Sequence, residues 1–224
     1  GLARDKLSLA QFELANDYMA AGLLDRAERL LKDLSNEQGE VKWRSLELLM
    51  EIYQQEKDWD RAITCALSLL PKQGAEIRPV LAHYCCEKAT ILMANEENTL
   101  ARRELKRALN YDTGCVRASL LKGHLEAQTG HYREAVKAFR RVKEQDPSYL
   151  PESIPQLSEC YRELGKEKEH REFLLDCLQK KPSITLVFAV ADLLYGKSGQ
   201  EEQAQQFISE QLAARPSLKG VLHL

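Results

Sequence analysis

The chain has 224 residues, 44% apolar and 29% charged, an ordinary balance for a globular chain of one or two domains. Its 32 basic and 34 acidic residues leave a formal charge of −2, which argues against a non-specific nucleic-acid binder. No run of about 18 apolar residues offers a membrane span, and Gly1-Leu2-Ala3-Arg4-Asp5 shows no basic-then-apolar leader. The missing initiator Met and the apolar end Val221-Leu222-His223-Leu224 read as cuts inside a longer protein.

Leu, Ala, Glu, Lys, Arg and Gln dominate, residues that lose little side-chain freedom in a helix, so the chain is expected to be all-helical. One pattern recurs along it. The first copy has Ala15 and Tyr18, a turn at Gly22, then Ala27, Leu31 and Leu34. The second has Met50 and Tyr53, a turn at Lys57, then Ala62, Ala66 and Leu69. The third runs from Ala89 and Leu92 through Glu96 to Ala101, Leu105 and Ala108. The fourth runs from Gly123 and Glu126 through Gly130 to Ala135, Phe139, Val142 and Pro147. The fifth has Ser158, Tyr161, Gly165, His170, Leu174, Cys177 and Pro182. The sixth has Asp192, Tyr195, Gly199, Ala204, Ile208 and Pro216.

These copies start near residues 8, 43, 82, 116, 151 and 185, and the pattern resembles the tetratricopeptide repeat, a helix–turn–helix unit of about 34 residues. The resemblance implies an all-α, right-handed α-solenoid, with about six repeats and the start of a seventh from Leu218 to Leu224, as a single domain over 1–224. Each position has a physical duty. Small residues at the eighth and twentieth places let the two helices of a repeat approach, and large ones at the eleventh and twenty-fourth fill between them. The turn glycine takes a positive φ without a Cβ penalty, and the late proline ends the second helix. His170 at a small twentieth place calls for looser or rearranged packing. Longer connectors, 35–39 and 71–79, interrupt the period, and the second, with Pro71 and Pro79 at its ends, is a candidate hinge.

The sequence shows no nucleophile elbow, phosphate loop or paired metal-binding histidines, so no enzyme is expected. Cys65, Cys85, Cys86, Cys115, Cys160 and Cys177 include no C-x-x-C pair and are expected to be reduced, half-buried thiols. His83 and Cys86 share a helical face but fall short of the four ligands of a structural zinc, so no cofactor or metal is expected in this chain. The concave face of such repeats is lined by the second, fifth, ninth and twelfth places of each first helix. Its candidates for partner binding are Asn16, Arg44, Glu47, Glu51, His83, Arg117, His124, Glu159 and Arg162, with Leu9, Phe12 and Cys86 expected beside them. The set lacks the repeated Lys/Asn/Arg clamp for a terminal carboxylate.

Longer stretches are more specific. Asn16–Glu28, Ile52-Tyr53-Gln54 with Trp59–Ile63, Ala82–Glu87 and Tyr161–Lys166 resemble the lipopolysaccharide assembly protein B family of Gram-negative bacteria. That resemblance implies an adaptor on the cytoplasmic face of the inner membrane, anchored by an N-terminal helix and ending in a rubredoxin-like iron or other metal domain. It implies promotion of degradation of the deacetylase that commits lipid A synthesis, through the membrane protease FtsH. Its partners would be that protease, the deacetylase and other envelope-assembly proteins; a homodimer stays open. This chain would be the repeat core only, soluble by itself, with no direct membrane insertion. The alternative is a generic repeat scaffold for another envelope or secretion assembly. An RNA-binding helical repeat is disfavoured by the charge of −2 and the absence of a regular basic groove.

Overall fold

Helical periodicity governs every regular element of the computed structural model, which describes residues 2–196 and 199–215. The chain divides into two units, 1–118 and 119–224. The first holds α1 (Leu2–Ala20), α2 (Leu24–Ser35), α3 (Glu40–Gln55), α4 (Trp59–Gln73), α5 (Arg78–Ala94) and α6 (Asn98–Tyr111). The boundary falls within α7 (Val116–Gln128). The second unit continues with α8 (Tyr132–Gln145), a 3-10 turn at Pro147–Tyr149, α9 (Leu150–Glu163), α10 (Glu167–Lys180), α11 (Ile184–Tyr195) and α12 (Glu201–Ala214).

Within the first unit each helix from α1 to α6 packs on its successor, and α1 also reaches α3. Within the second the same holds from α8 to α12, with α9 reaching α11. This is the tetratricopeptide pattern of paired helices stacked on the next pair, and it is needed because one pair cannot bury its own apolar stripe. The stripes are plain in sequence. In α2, Ala27, Leu31 and Leu34 fall on one face and are buried; in α8, Ala135, Val136, Ala138, Phe139 and Val142 do the same.

The small places do what close approach requires. Ala15, Ala27, Ala62, Ala89, Ala101 and Ala135 are all fully enclosed. At Gly123 a Cβ would stand only 2.3 Å from Cε1 of the buried Phe139 ring. His170, the departure at the twentieth place, is a rearrangement. Its ring stacks on Tyr161 at 4.9 Å, and Ser158 Oγ lies 3.3 Å from Nε2, so the small Ser158 leaves the room that an alanine opposite would otherwise supply.

All six assigned turn positions have positive φ: Gly22 71°, Lys57 57°, Glu96 62°, Gly130 75°, Gly165 63° and Gly199 89°. At the first five the hydrogen bonding is that of a Schellman C-cap. The N–H after the turn residue bonds five positions back, as from Leu23 to Tyr18 O (2.8 Å), Asp58 to Tyr53 O (2.8 Å) and Glu97 to Leu92 O (2.8 Å). Lys57 and Glu96 thus adopt a geometry better suited to glycine.

The connector expected at 71–79 is shorter than its prolines suggested. Helix α4 runs on through Pro71 to Gln73, and α5 starts at Arg78 with Pro79 in its first turn. Near a helix end proline forfeits one hydrogen bond, and in the first turn none. Pro147 opens the 3-10 turn and Pro182 follows α10. Pro216 and the start of a seventh repeat, Leu218 to Leu224, lie outside the described residues.

Candidate functional site

The first helices of the repeats in the first unit, α1, α3 and α5, are joined side by side. The Arg44 guanidinium lies over the Phe12 ring, 4.2 Å from its centroid, linking α3 to α1. Tyr84 Oη donates to Gln54 Oε1 at 3.0 Å, linking α5 to α3. Along this row Arg44, Glu51 and His83 are exposed, and Asn16 and Glu47 are half-buried. Asn16 donates to Phe12 O in its own helix at 3.2 Å, and Glu47 accepts from Gln73 Nε2 at 2.7 Å.

Two expected members of the row point inwards. Phe12 is 2% exposed and Cys86 is fully enclosed. Both occupy the fifth place of a repeat. Neighbouring first helices touch each other there, so the fifth place in these copies packs between repeats rather than facing solvent. For the same reason Arg44 has a packing role: it covers Phe12.

His83 and Arg117 come together through Glu87. Arg117 Nη1 donates to Glu87 Oε1 and stands 3.4 Å from His83 Nδ1, while His83 Nε2 is 3.8 Å from the same carboxylate. Arg117 and His83 are exposed and Glu87 is half-buried. The Glu87 pairing holds the guanidinium charged even more firmly than usual. The sequence reading missed Glu87, although its place four residues after His83 on one helix was the available signal.

The remaining candidates belong to the second unit. His124 is half-buried, with its ring 5.4 Å from that of Phe139, and its enclosed Nε2 makes no hydrogen bond. Burial holds its pKa below the ordinary histidine value. Glu159 accepts from Arg162 Nη2 at 3.2 Å, and both are exposed. Among the described residues no group of three or more His, Cys, Asp or Glu is placed to hold a metal ion, and no helix is long and apolar enough to cross a membrane. The exposed row carries cations, carboxylates, an imidazole and amides at fixed spacing, which suits contact with an extended protein surface.

Residues 86–149 match the model of the tetratricopeptide repeat family. The chain carries tetratricopeptide repeats. It is 33% identical over 97% of its length to lipopolysaccharide assembly protein B of Escherichia coli strain K12, covering 56% of that protein. The protein of the same name from Haemophilus influenzae is 35% identical over 93% of this chain and 52% of its own. The chain therefore spans about half the length of these curated relatives and resembles their repeat core. Among solved structures, the C-terminal part of a TPR repeat-containing protein from Cytophaga hutchinsonii aligns with a TM-score of 0.49 and 13% identity, over 91% of this chain and 80% of that one.

Proposed function

We propose that this chain is the partner-binding part of a non-enzymatic adaptor in lipopolysaccharide assembly. The observation that carries the reading is 33–35% identity, sustained over 93–97% of the chain, to proteins named for that process. The repeat fold supports a protein partner, because it presents an extended row of side chains that stacking leaves exposed. On this reading the partners are the membrane protease FtsH and the deacetylase that commits lipid A synthesis. The adaptor brings the two together at the cytoplasmic face of the inner membrane, so that the deacetylase is degraded. Anchor and metal domain then belong to parts of the protein beyond this chain.

Complementation tests this reading. A Gram-negative strain depleted of its own lipopolysaccharide assembly protein B receives a chimera in which residues 1–224 replace the matching repeats. Restored deacetylase turnover supports the proposal. A stable, membrane-bound chimera that leaves turnover unrestored contradicts it.

A further inference from the structure

Two of the six cysteines differ from the others. Cys65 and Cys85 are buried, and burial pushes each thiol up to about 11, an unreactive condition. Cys86 and Cys115 lie on separate elements with their Sγ atoms 3.9 Å apart. Cys86 is enclosed on α5, whereas Cys115 is half-buried and immediately precedes α7. The backbone N–H of Ala118, in the first turn of α7, hydrogen-bonds to Cys115 Sγ, and the Arg117 guanidinium adds positive charge nearby. The hydrogen bond shared with Cys86 above all, then that N–H, lowers the Cys115 thiol below its ordinary value against the opposing effect of burial. Cys86 is raised by the same pairing and by burial. One thiol is thus partly open to solvent and biased towards thiolate at a helix N-terminus. The other waits behind it within one short side-chain movement.

We propose that Cys115 and Cys86 form a peroxide-sensitive dithiol that closes into an intramolecular disulfide, Cys115 attacking and Cys86 resolving. The Cys115 thiolate attacks one oxygen of a hydroperoxide: an S–O bond forms, the O–O bond breaks, and the departing oxygen leaves as water or an alcohol after taking a proton. Cys86 Sγ then attacks the sulfur of the Cys115 sulfenic acid. The S–S bond forms, the S–O bond breaks, and the hydroxide leaves as water with the Cys86 proton. Both sulfurs are oxidised and the peroxide is reduced by the same two electrons.

Closure from 3.9 Å to a bond of about 2.0 Å draws the start of α7 and α5 together. Arg117 follows Cys115 by two residues and grips Glu87, one residue beyond Cys86. The disulfide therefore reshapes the cluster of His83, Glu87 and Arg117. Any consequence for partner binding rests on the proposed adaptor reading; the thiol chemistry does not.

The reduced chain is exposed to stepwise hydrogen peroxide, quenched, denatured and titrated for thiols, with intact mass and non-reducing peptide maps. The expected result is loss of two of the six thiols, a mass lower by two hydrogen atoms, and a Cys86–Cys115 peptide pair with no disulfide joining two chains. Cys86→Ser is expected to trap a dimedone-reactive sulfenic acid on Cys115, and Cys115→Ser to keep Cys86 reduced over the same range. Circular dichroism confirms that both variants fold. Six surviving thiols at peroxide levels that oxidise free glutathione, or oxidation falling first on another cysteine, would overturn the proposal. A disulfide that forms while the reduced and oxidised chains bind the deacetylase equally would leave the dithiol standing and refute only its effect on the adaptor.

Discussion

His170 and His124 show how burial sets charge in the second unit. Burial holds both below the ordinary histidine pKa, so folding favours the neutral form of each. Above pH ~6.5 the unfolded imidazoles are neutral too, and the contribution to stability is complete. As pH falls below that value the unfolded chain takes up protons that the folded chain refuses, and stability declines. The chemical-denaturation midpoint is therefore expected to fall between about pH 7 and 5, with a shallower slope in His170→Gln, which removes one of these sites. Equal slopes in parent and variant would show that His170 is not held neutral. Gly123 makes a steric prediction. Gly123→Ala drives a methyl into the Phe139 ring and is expected to cost roughly 1–3 kcal/mol, a loss that Phe139→Leu in the same chain partly restores. Additive losses in the double variant would count against that contact.

At the scale of the element, the turn inside each repeat is the common device. Glycine occupies it in four copies, while Lys57 and Glu96 pay a left-handed backbone penalty in the other two. Glu96→Gly is expected to raise stability by about 0.5–1 kcal/mol, the relieved strain exceeding the added freedom of the unfolded chain. Gly130→Val is expected to lower it by roughly 1–3 kcal/mol, because a β-branched residue is strained at that φ. Urea midpoints moving the other way in either variant would contradict the turn assignment. The first unit adds a clamp between α2, α3 and α4. Arg61 donates to Glu28 at 2.6 Å, to Asp58 at 2.7 Å and to Glu56 at 3.2 Å, and its guanidinium lies 4.4 Å from the Tyr53 ring centroid. The Asp58 pairing comes first in keeping Arg61 charged, and Tyr53 donates to Glu28 at 2.9 Å.

On the scale of the whole chain, repeat register was legible and side-chain partnership was not. Ala27, Ala62, Ala101 and Ala135 repeat at a fixed distance after the turn, and that spacing alone located the helix pairs and the enclosed small residues. The turns at Lys57 and Glu96 carry no local signal; only their register against Gly22 and Gly130 gives them away. Phe12 and Cys86 were placed on the exposed row because register describes one repeat, whereas their burial comes from the neighbouring repeat. Pro71 suggested a longer connector because a proline in the last helical turn looks, in sequence, like a stop. The approach of Cys115 to Cys86 and of Arg117 to Glu87 depends on side chains 29 and 30 residues apart, which no periodicity reports.

On the proposed reading, the exposed row of first helices in the first unit binds a protein of lipopolysaccharide assembly. The direct measurement is capture of the lipid A deacetylase, and separately of FtsH, by the longer protein carrying Arg44→Ala or His83→Ala. Both side chains are exposed, so folding is expected to change by no more than about 0.5–1 kcal/mol, with Arg44 at the upper end because it covers Phe12. Binding is expected to weaken by about 1–2 kcal/mol, roughly 5- to 30-fold, for at least one partner. Folded variants that bind both partners like the parent, while Arg29→Ala on α2 or Lys106→Ala on α6 abolishes capture, would contradict the account.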